Sequence, residues 1–384
     1  MSCVTSAYIH IPFCASKCLY CDFTSFAGKE ADIDKYVDAL IAEMQMFVSF
    51  RATDSSDVLQ PLRTLYIGGG TPSLLSGRQI FRIVDAARQL FCFDSDPEIS
   101  VEINPNTVDN NFLRSFIAAG GNRVSLGVQS LNDALLVCMG RAHSASEAID
   151  AINLIQKAGI TNISCDLIIG LPNQKIEQVI SDTDTLIRKG IKHISIYSLS
   201  IEEGTVFEQK YADLIERLMP QAYEREMYHA VRRHLLSEGY EHYEISNFAL
   251  PGYESRHNSM YWSASEYYGF GLAAHSYFHS ERIGHVEDLN TYIARAYDDL
   301  DAIVSERVVI DEEEKMKEFF LLGLRMIEGV SVNDYKDRFG DLPIHLHRLL
   351  EKHVSEGLLE HQSDRYYLTE TGLDFANLVF RDFV

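Results

Sequence analysis

The residues with the clearest chemical potential are three cysteines near the N-terminus, in the stretch Cys14-Ala-Ser-Lys-Cys18-Leu-Tyr-Cys21. Three thiolates at this spacing on a short loop can each bind one iron of a cubane [4Fe–4S] cluster, which leaves the fourth iron without a protein ligand. An iron with a vacant position can chelate the amino and carboxylate groups of a small molecule and pass it an electron. We therefore expect Cys14, Cys18 and Cys21 to hold a redox-active cluster.

A structural zinc ion and disulfide bonds are the alternatives for these cysteines. Zinc needs four ligands, and although His10 offers a fourth, the loop spacing differs from that of common zinc modules. The seven cysteines are an odd number, and the N-terminus lacks a basic region followed by an apolar run, so we expect neither disulfides nor a secretory signal. The remaining cysteines are scattered and are predicted to be ordinary thiols: Cys3, Cys92, Cys138 and Cys165.

The cysteine spacing resembles that of the radical S-adenosylmethionine (SAM) superfamily. In that superfamily the open iron binds SAM, and one-electron reduction of the sulfonium gives methionine and a 5′-deoxyadenosyl radical. The resemblance implies two cofactors for this chain, a [4Fe–4S] cluster and SAM.

Composition narrows the class of protein. The chain has 384 residues, of which 46% are hydrophobic, so it can bury a large core and form two or three structural units. It has no run of about 20 apolar residues, and we expect a cytoplasmic protein without a transmembrane segment. Its 34 Lys and Arg stand against 56 Asp and Glu, a formal charge of -22. Because such a charge repels phosphate backbones, no nucleic-acid partner is expected.

The elements that must position the cysteine loop alternate between strand and helix. Short β-rich runs end in Gly, Pro or polar residues, and helical patterns lie between them, clearest at Gln79–Leu90, Ser144–Ala158 and Ile176–Arg188. Six such units predict an α/β fold with a partial, partly open (βα)6 barrel, whose strands bring their C-terminal ends to one rim. The predicted strands are Ala7–Ile11, Thr64–Ile67, Ile99–Ile103, Arg123–Leu126, Asn162–Ile169 and His193–Leu199.

The alternation stops after about residue 200. We expect a barrel core at 1–200, then an extension at 201–310 with a helix at Gln221–Glu238 and an irregular aromatic region at 240–285. The last unit, 311–384, has helical patterns at Phe319–Ile327, Val332–Phe339 and Ile344–Glu356 followed by a hairpin, which is similar to a winged helix. It carries 9 Lys and Arg against 16 Asp and Glu, so a packing or docking role is expected rather than DNA binding.

Five motifs together resemble the anaerobic coproporphyrinogen-III oxidase family over roughly residues 7–280. They are Tyr8-Ile-His-Ile-Pro-Phe-Cys14, Gly68-Gly69-Gly70-Thr71-Pro72, Glu102-Ile-Asn-Pro105, Gly127-Val-Gln129-Ser130 and Asp166-Leu-Ile-Ile-Gly-Leu-Pro172. The resemblance implies that the residues around SAM are Tyr8, Tyr20, Gly69, Gly70, Thr71, Glu102, Gln129, Arg141, Asp166 and Ser200. Bare glycine backbone can approach the methionine moiety and present N–H groups, and Arg141 can pair with a carboxylate.

Two features depart from the oxidase and match the family's HemW-type branch, whose members are regarded as haem chaperones. The oxidase has a fourth cysteine two positions after the third, where this chain has Phe23, and it carries an N-terminal extension, whereas here only Met1–Ser6 and Ala7 precede Tyr8. The stretch His257-Asn-Ser-Met-Tyr261-Trp262 also fits the branch's H-N-x-x-Y-W signature. An imidazole can ligate haem iron, and Tyr and Trp supply flat apolar surface.

The haem candidates are therefore His257, Tyr261 and Trp262, with His275 in Gly269-Phe-Gly271-Leu-Ala-Ala-His275 as a weaker second. The leading hypothesis is a haem chaperone that binds a cluster, SAM and haem and transfers haem to acceptor hemoproteins. The alternative is an oxygen-independent oxidase that decarboxylates coproporphyrinogen III to protoporphyrinogen IX, an activity we do not expect. A ferredoxin or flavodoxin would suit as electron donor, and the chain is expected to be a monomer or homodimer.

Overall fold

A computed structural model describes residues 4–51 and 59–384. The polar stretch 52–61, which the sequence predicts to be a loop, falls mostly outside these ranges, as does Cys3. The strands are β1 (Ser6–Ile11), β2 (Phe13–Cys14), β3 (Phe26–Ala27), β4 (Leu62–Gly69), β5 (Phe93–Ile103), β6 (Arg123–Gln129), β7 (Asn162–Ile169), β8 (His193–Ser198), β9 (Glu241–Glu244), β10 (Asn247–Ala249), β11 (Tyr268–Phe270), β12 (His275–Phe278), β13 (Glu281–His285), β14 (Val304–Val309), β15 (Val330–Ser331), β16 (Leu359–Gln362) and β17 (Arg365–Leu368).

The α-helices lie between and after these strands. They are α1 (Ile33–Arg51), α2 (Gly77–Leu90), α3 (Asn110–Ala118), α4 (Asp133–Met139), α5 (Ala145–Ala158), α6 (Ile176–Arg188), α7 (Val206–Tyr211), α8 (Ile215–Leu218), α9 (Gln221–Ser237), α10 (Arg256–Trp262), α11 (Leu289–Arg295), α12 (Glu312–Gly323), α13 (Val332–Phe339), α14 (Ile344–Ser355), α15 (Glu370–Asp374) and α16 (Ala376–Arg381). Short 3-10 helices lie at Glu30–Asp32, Pro72–Leu74 and Leu300–Ile303.

The six predicted strands form one parallel sheet in the order β1-β4-β5-β6-β7-β8, which confirms the α/β class. The helices between them begin where the sequence indicates. Ser76 and Ser144 are N-caps of α2 and α5, each in a capping box with Gln79 or Glu147. All the crossovers therefore bring the C-terminal ends of the strands to one rim, as expected for a partial barrel.

The two faces of this sheet differ in polarity. Successive side chains of a strand point to opposite faces. One face is apolar and lies in the main core under the helices, as Ile9, Ile67 and Val124 show. The other carries polar groups that bond across strands, including Tyr66 to Glu102 and Ser125 to Asp166. The interior of the barrel is therefore a polar, ligand-sized space rather than a packed core.

Strands of the extension complete both edges of the sheet. β11 pairs parallel with β1, while β10 pairs antiparallel with β8 and β9 with β10. The expectation that 240–285 is irregular is therefore wrong: its strands of three to five residues are too short to show an alternating pattern. The three added strands, β9, β10 and β11, come from residues beyond 200, and the division at 200 and 310 stays a prediction.

The C-terminal residues have a core of their own, which includes Phe320, Tyr335 and Leu350. Helices α12, α13 and α14 share this core with an antiparallel sheet in the order β15-β17-β16, whose first strand lies between α12 and α13 in the chain. The predicted helix at Phe319–Ile327 is the second half of α12, which ends at Gly323. It ends there because the chain turns to pair with β9, where Ile245 N–H donates to the Arg325 carbonyl and Ile327 N–H to the Tyr243 carbonyl. This pairing also covers the exposed edge of the main sheet.

Among the described residues, no helix combines the length and the apolar character needed to cross a bilayer.

Candidate functional site

A cavity of about 470 Å³ lies at the C-terminal ends of β4 to β8 and is closed on one side by the cysteine loop. Cys14, Cys18 and Cys21 all line it. Opposite them are polar side chains from strand ends, such as Glu102 on β5 and Asp166 on β7. The topology thus brings together residues that are up to 188 positions apart in sequence, from Cys14 to Glu202.

Backbone hydrogen bonds hold the cysteine loop against the rim. Leu19 N–H donates to the Met139 carbonyl at the end of α4 (3.0 Å), and Phe207 N–H donates to the Leu19 carbonyl (2.8 Å). Pairing of β2 with β3 closes the loop at its base. Leu19, between Cys18 and Cys21, is therefore the anchor of the loop.

Side chains link two of the cysteines in a chain of hydrogen bonds. Thr71 Oγ1 donates to Cys14 Sγ (3.6 Å), and Arg141 Nη1 donates to Cys18 Sγ (3.3 Å). Asn104 joins these two groups, since its Nδ2 donates to Thr71 Oγ1 (2.8 Å) and its Oδ1 accepts from Arg141 Nη2 (2.6 Å). Hydrogen bonds of this kind orient thiolate ligands and tune the metal centre that they bind.

The three cysteine thiols lie near one another in the loop. Burial raises the pKa of Cys21, and the nearby Cys18 and Cys14 add to that rise, so the three thiols lie close enough to interact. Yet among residues 4–51 and 59–384 no group of three or more His, Cys, Asp or Glu side chains is arranged to hold a metal ion. In a cubane each thiolate bonds a different iron, so its ligands need not converge on one point.

The glycine turn after β4 lies directly beneath the cysteine loop. Gly69 has φ +111°, and a Cβ on it would lie 2.6 Å from the His10 ring, while one on Gly70 would lie 2.6 Å from the Phe13 carbonyl oxygen. The predicted presentation of N–H groups to a ligand is wrong for this turn. Gly69 N–H donates to Glu102, Gly70 N–H to Ile11 and Thr71 N–H to Phe13. The glycines serve close packing of the backbone instead.

Glu102 stands at the centre of the cavity wall. Its Oε1 accepts from Tyr66 Oη (2.9 Å) and its Oε2 from Gly69 N–H (3.0 Å). Partial burial raises the pKa of its carboxyl group to about 7, against the lowering effect of these two donors. Near neutral pH Glu102 is thus divided between its protonated and ionised forms.

Three buried polar atoms near the cavity have no hydrogen-bond partner among the described residues. They are Gln129 Oε1, Asp166 Oδ1 and Arg141 Nε. Gln129 also adopts φ +64°, which is uncommon for a side chain other than glycine and typical of functional sites. Because buried polar groups are normally paired, these atoms indicate a polar ligand with donors and an acceptor, as SAM has.

The cavity contains all but one of the residues that the family resemblance implies for SAM. Ser200 is exposed at the mouth and donates to Glu202, and Tyr20 lies beside Arg141. Tyr8 is the exception, because its side chain turns to the next cavity and bonds His10 Nδ1 (3.0 Å). The residues brought together are Tyr20, Gly69, Gly70, Thr71, Glu102, Gln129, Arg141, Asp166 and Ser200.

A second cavity, of about 430 Å³, adjoins the first. The two share Asp22 and Phe23, which follow the last cysteine, and Phe23 is 61% exposed. The walls of the second cavity are largely aromatic. They are formed by Tyr8, His10, Asp22, Phe23, Thr24, Tyr261, Tyr267, Ala273, His275 and Glu287.

The three predicted haem residues do not share one surface. His257 is 1% exposed; its Nδ1 bonds Thr64 Oγ1 (2.8 Å) and its Nε2 bonds Tyr261 Oη (3.0 Å). Burial lowers the pKa of His257 to about 3, so the ring is neutral. Tyr261 lines the second cavity, whereas Trp262 is covered by the Arg325 guanidinium, whose carbon lies 4.4 Å from the ring centre.

Sequence reasoning missed Asn104 as a site residue. It lies inside the quoted motif Glu102-Ile-Asn-Pro105, but an asparagine before a proline is also ordinary turn chemistry. Only its position between Thr71 and Arg141 shows its link to the cysteines.

Two regions of the chain match known protein families. Residues 8–186 match the model of the radical SAM superfamily, and residues 310–375 match the HemN C-terminal domain. The chain is 35% identical over 380 residues to the heme chaperone HemW of Lactococcus lactis, covering 99% of this chain and 97% of that protein. It is 36% identical to that of Bacillus subtilis, with 99% of each covered. For that of Escherichia coli the identity is 32%, over 99% of this chain and 98% of the other.

Among solved structures, the fold is similar to that of coproporphyrinogen III oxidase (HemN) from Escherichia coli, described as a radical SAM enzyme. The TM-score is 0.82, over 100% of this chain and 90% of that one, at 21% sequence identity. At this identity the likeness concerns the fold alone.

Proposed function

Because the chain belongs to the radical SAM superfamily and, within it, to the HemW family, we propose that it is a haem chaperone. It would bind a [4Fe–4S] cluster and SAM, hold haem as cargo and pass it to acceptor hemoproteins. The observation that carries this proposal is the pair of adjoining cavities, one containing the cysteines and unpaired polar atoms and the other walled by aromatic rings.

Cys14, Cys18 and Cys21 would hold the cluster, which supplies low-potential electrons when bound. Arg141 and Thr71 support this by donating to two of the sulfurs, so they would favour the thiolate forms that metal binding requires. Asp166, Gln129 and Glu102 would orient SAM through hydrogen bonds, since each places a polar atom on the cavity wall.

The haem cargo would lie in the second cavity. Aromatic side chains there provide flat apolar surface for a porphyrin, and Phe23 brings that surface to the edge of the cysteine loop. Tyr261, from the H-N-x-x-Y-W stretch, belongs to this wall, with His257 directly behind it. A haem held there would be next to the cluster and still open to an acceptor protein.

The test is a hemin titration of anaerobically reconstituted protein, followed through the Soret band. A haem chaperone should give a saturable, shifted band, whereas an unshifted band would contradict the proposal. A Phe23→Ala variant should bind hemin more weakly, and Phe81→Ala, which removes an exposed ring of α2, is the matched control.

A parallel anoxic assay separates the chaperone from the oxidase. Coproporphyrinogen III is supplied with SAM and a low-potential donor such as a ferredoxin or flavodoxin. We expect no protoporphyrinogen IX, because Phe23 stands where the oxidase has its fourth cysteine. Its formation would assign the chain to the oxidase function instead.

A further inference from the structure

A further cavity, of about 940 Å³, lies between the barrel and the C-terminal residues, and we call it the C-terminal cavity. The end of β8, with α8 and α9, forms one side of it, and Arg325, α15 and α16 form the other. It shares residues 197–200 and Glu202 with the cavity of the cysteine loop, but none of the three cysteines lines it. It therefore opens beside the proposed SAM site without containing a cluster ligand.

Much of the wall of the C-terminal cavity is apolar. Buried side chains that line it include Ile196, Met219, Leu373 and Phe380. Its basic side chains, among the described residues, are Arg225 and Arg325. The charge of Arg225 is already neutralised, because its Nε and Nη2 donate to Glu224 (2.8 and 2.7 Å) and its Nη1 lies 3.6 Å from Asp374 Oδ1. Arg325 is thus the cation that a ligand could use.

The guanidinium of Arg325 is held by rings rather than by acids. Its carbon lies 4.4 Å from the ring centre of Trp262 and 5.9 Å from that of Phe380. Within residues 4–51 and 59–384 its side chain donates no hydrogen bond and forms no salt bridge, and its Nε is buried. Glu244 attracts it from β9, but Glu244 Oε1 accepts from Ser246 N–H (3.1 Å). Because buried donors are normally paired, this cation indicates an anionic ligand.

We propose that the C-terminal cavity binds an organic acid, a carboxylate on an apolar body, through Arg325. The planar fork of a guanidinium matches a carboxylate, and the apolar wall would cover the rest of the molecule. Two further acids of the wall do not pair with Arg325, since Glu202 accepts from Ser200 and Glu216 is exposed. A cavity of this size, mostly apolar with a few polar groups, is typical of small-molecule sites. The site goes beyond the proposed function, because it needs neither the cluster nor haem.

The experiment measures, by calorimetry, the binding of decanoate and of 2-naphthoate to the anaerobically reconstituted protein. Decanoate carries its carboxylate on a flexible chain and 2-naphthoate on a flat ring, so the probe that binds more tightly shows which kind of acid fits. Arg325→Met should weaken the binding of that probe about tenfold or more, since hydrogen bonds to a charged group are lost.

A second variant keeps Arg325 and its stacking. Asn377 is exposed on α16 and lines the cavity, so Asn377→Glu adds a negative charge to the wall without removing a buried side chain. It should also weaken binding of the probe, because like charges repel. Asn153→Glu, at an exposed position of α5, is the matched control and should bind as the wild-type chain does.

The proposal is overturned if neither probe binds saturably to the wild-type protein. It is also overturned if Arg325→Met binds the probe as tightly as wild type. Where Arg325→Met does not fold, Asn377→Glu decides, and an affinity equal to that of Asn153→Glu would contradict the site. The hemin titration tests the chaperone function separately, since that titration concerns the second cavity.

Discussion

At the scale of single residues, the site depends on groups that hold the cysteines rather than on the cysteines alone. Thr71, Asn104 and Arg141 form a continuous link between Cys14 and Cys18. Asn104 is the central member, because it both donates and accepts within this link. The positions of the two sulfurs are therefore coupled through one amide.

Replacing Asn104 with alanine should loosen this link. Arg141 Nη2 would keep only its bond to the Gly127 carbonyl, and Thr71 Oγ1 would lose the hydrogen bond that it accepts from Asn104. The loss of these bonds should lower the free energy of unfolding by about 1–3 kcal/mol. We expect less iron per chain after reconstitution and a faster loss of the cluster, measured by iron assay and by EPR of the reduced protein. Asn153→Ala on α5, an exposed asparagine that accepts from Lys189, is the control. Equal iron contents in both variants would show that the link is dispensable.

The carboxyl group of Glu102 should make the free energy of unfolding depend on pH. Its pKa is about 7 in the folded chain and near the ordinary value of 4.5 when unfolded, so the folded state binds the extra proton between these values. The free energy of unfolding should therefore fall as pH rises through this window, with a contribution of order 3 kcal/mol from Glu102. Urea unfolding at about pH 5 and pH 7 tests this.

Glu102→Gln is the variant for that measurement. It should lose less stability between the two pH values than the wild-type chain, because the amide does not titrate. The buried carboxyl group of Asp182, whose pKa burial also raises, is present in both proteins away from Glu102 and contributes the same slope. Parallel pH profiles of the two proteins would contradict the role assigned to Glu102.

At the scale of elements, helix ends and strand ends hold the cysteine loop. The C-terminus of α4 accepts Leu19 N–H, and its C-cap, Gly140, has φ +70° and packs against the Leu19 side chain. A Cβ on Gly140 would lie 2.6 Å from Leu19 Cγ. Gly140 therefore allows the cysteine loop, through Leu19, to pack closely against the end of α4.

Gly140→Ala and Gly159→Ala form a matched pair of variants. Gly159 is the C-cap of α5 with φ +104°, and nothing lies within 4 Å of a Cβ placed on it. Both substitutions should cost about 1–2 kcal/mol of stability, because each places an L-residue in a left-handed conformation. Only Gly140→Ala should also lower cluster content, since it displaces Leu19. Equal iron contents would argue against the anchoring role of Leu19.

At the scale of the whole molecule, the C-terminal residues are joined to the barrel by backbone and by charge. Residues 325–327 pair with β9, and the Arg325 guanidinium stacks on Trp262 (4.4 Å) and approaches Phe380 (5.9 Å). Glu244, buried on β9, lies in the field of Arg325, which opposes the rise that burial causes in its pKa. Trp262 therefore lies at the contact between the barrel and the C-terminal residues.

Arg325→Met should weaken that contact by about 2 kcal/mol, because a partly desolvated cation over a tryptophan ring is lost. Urea unfolding should show the loss, and limited proteolysis should cut the variant faster between β9 and α12. Arg325→Lys should be intermediate, since an ammonium lacks the planar stacking surface. Arg348→Met, at an exposed position of α14, should match the wild-type chain. A stability equal to that of wild type in Arg325→Met would contradict this role.

Local spacing and hydrophobic periodicity are enough to predict the cysteine loop, the six parallel strands and the helices between them. The folded structure settles which polar residues meet. Asn104 joins Thr71 to Arg141, Tyr8 turns away from the first cavity, and Trp262 packs under Arg325. It also decided that β9, β10 and β11 extend the sheet. The physical reason is that these contacts join residues far apart in the chain, and their geometry arises only when the strands align in one register.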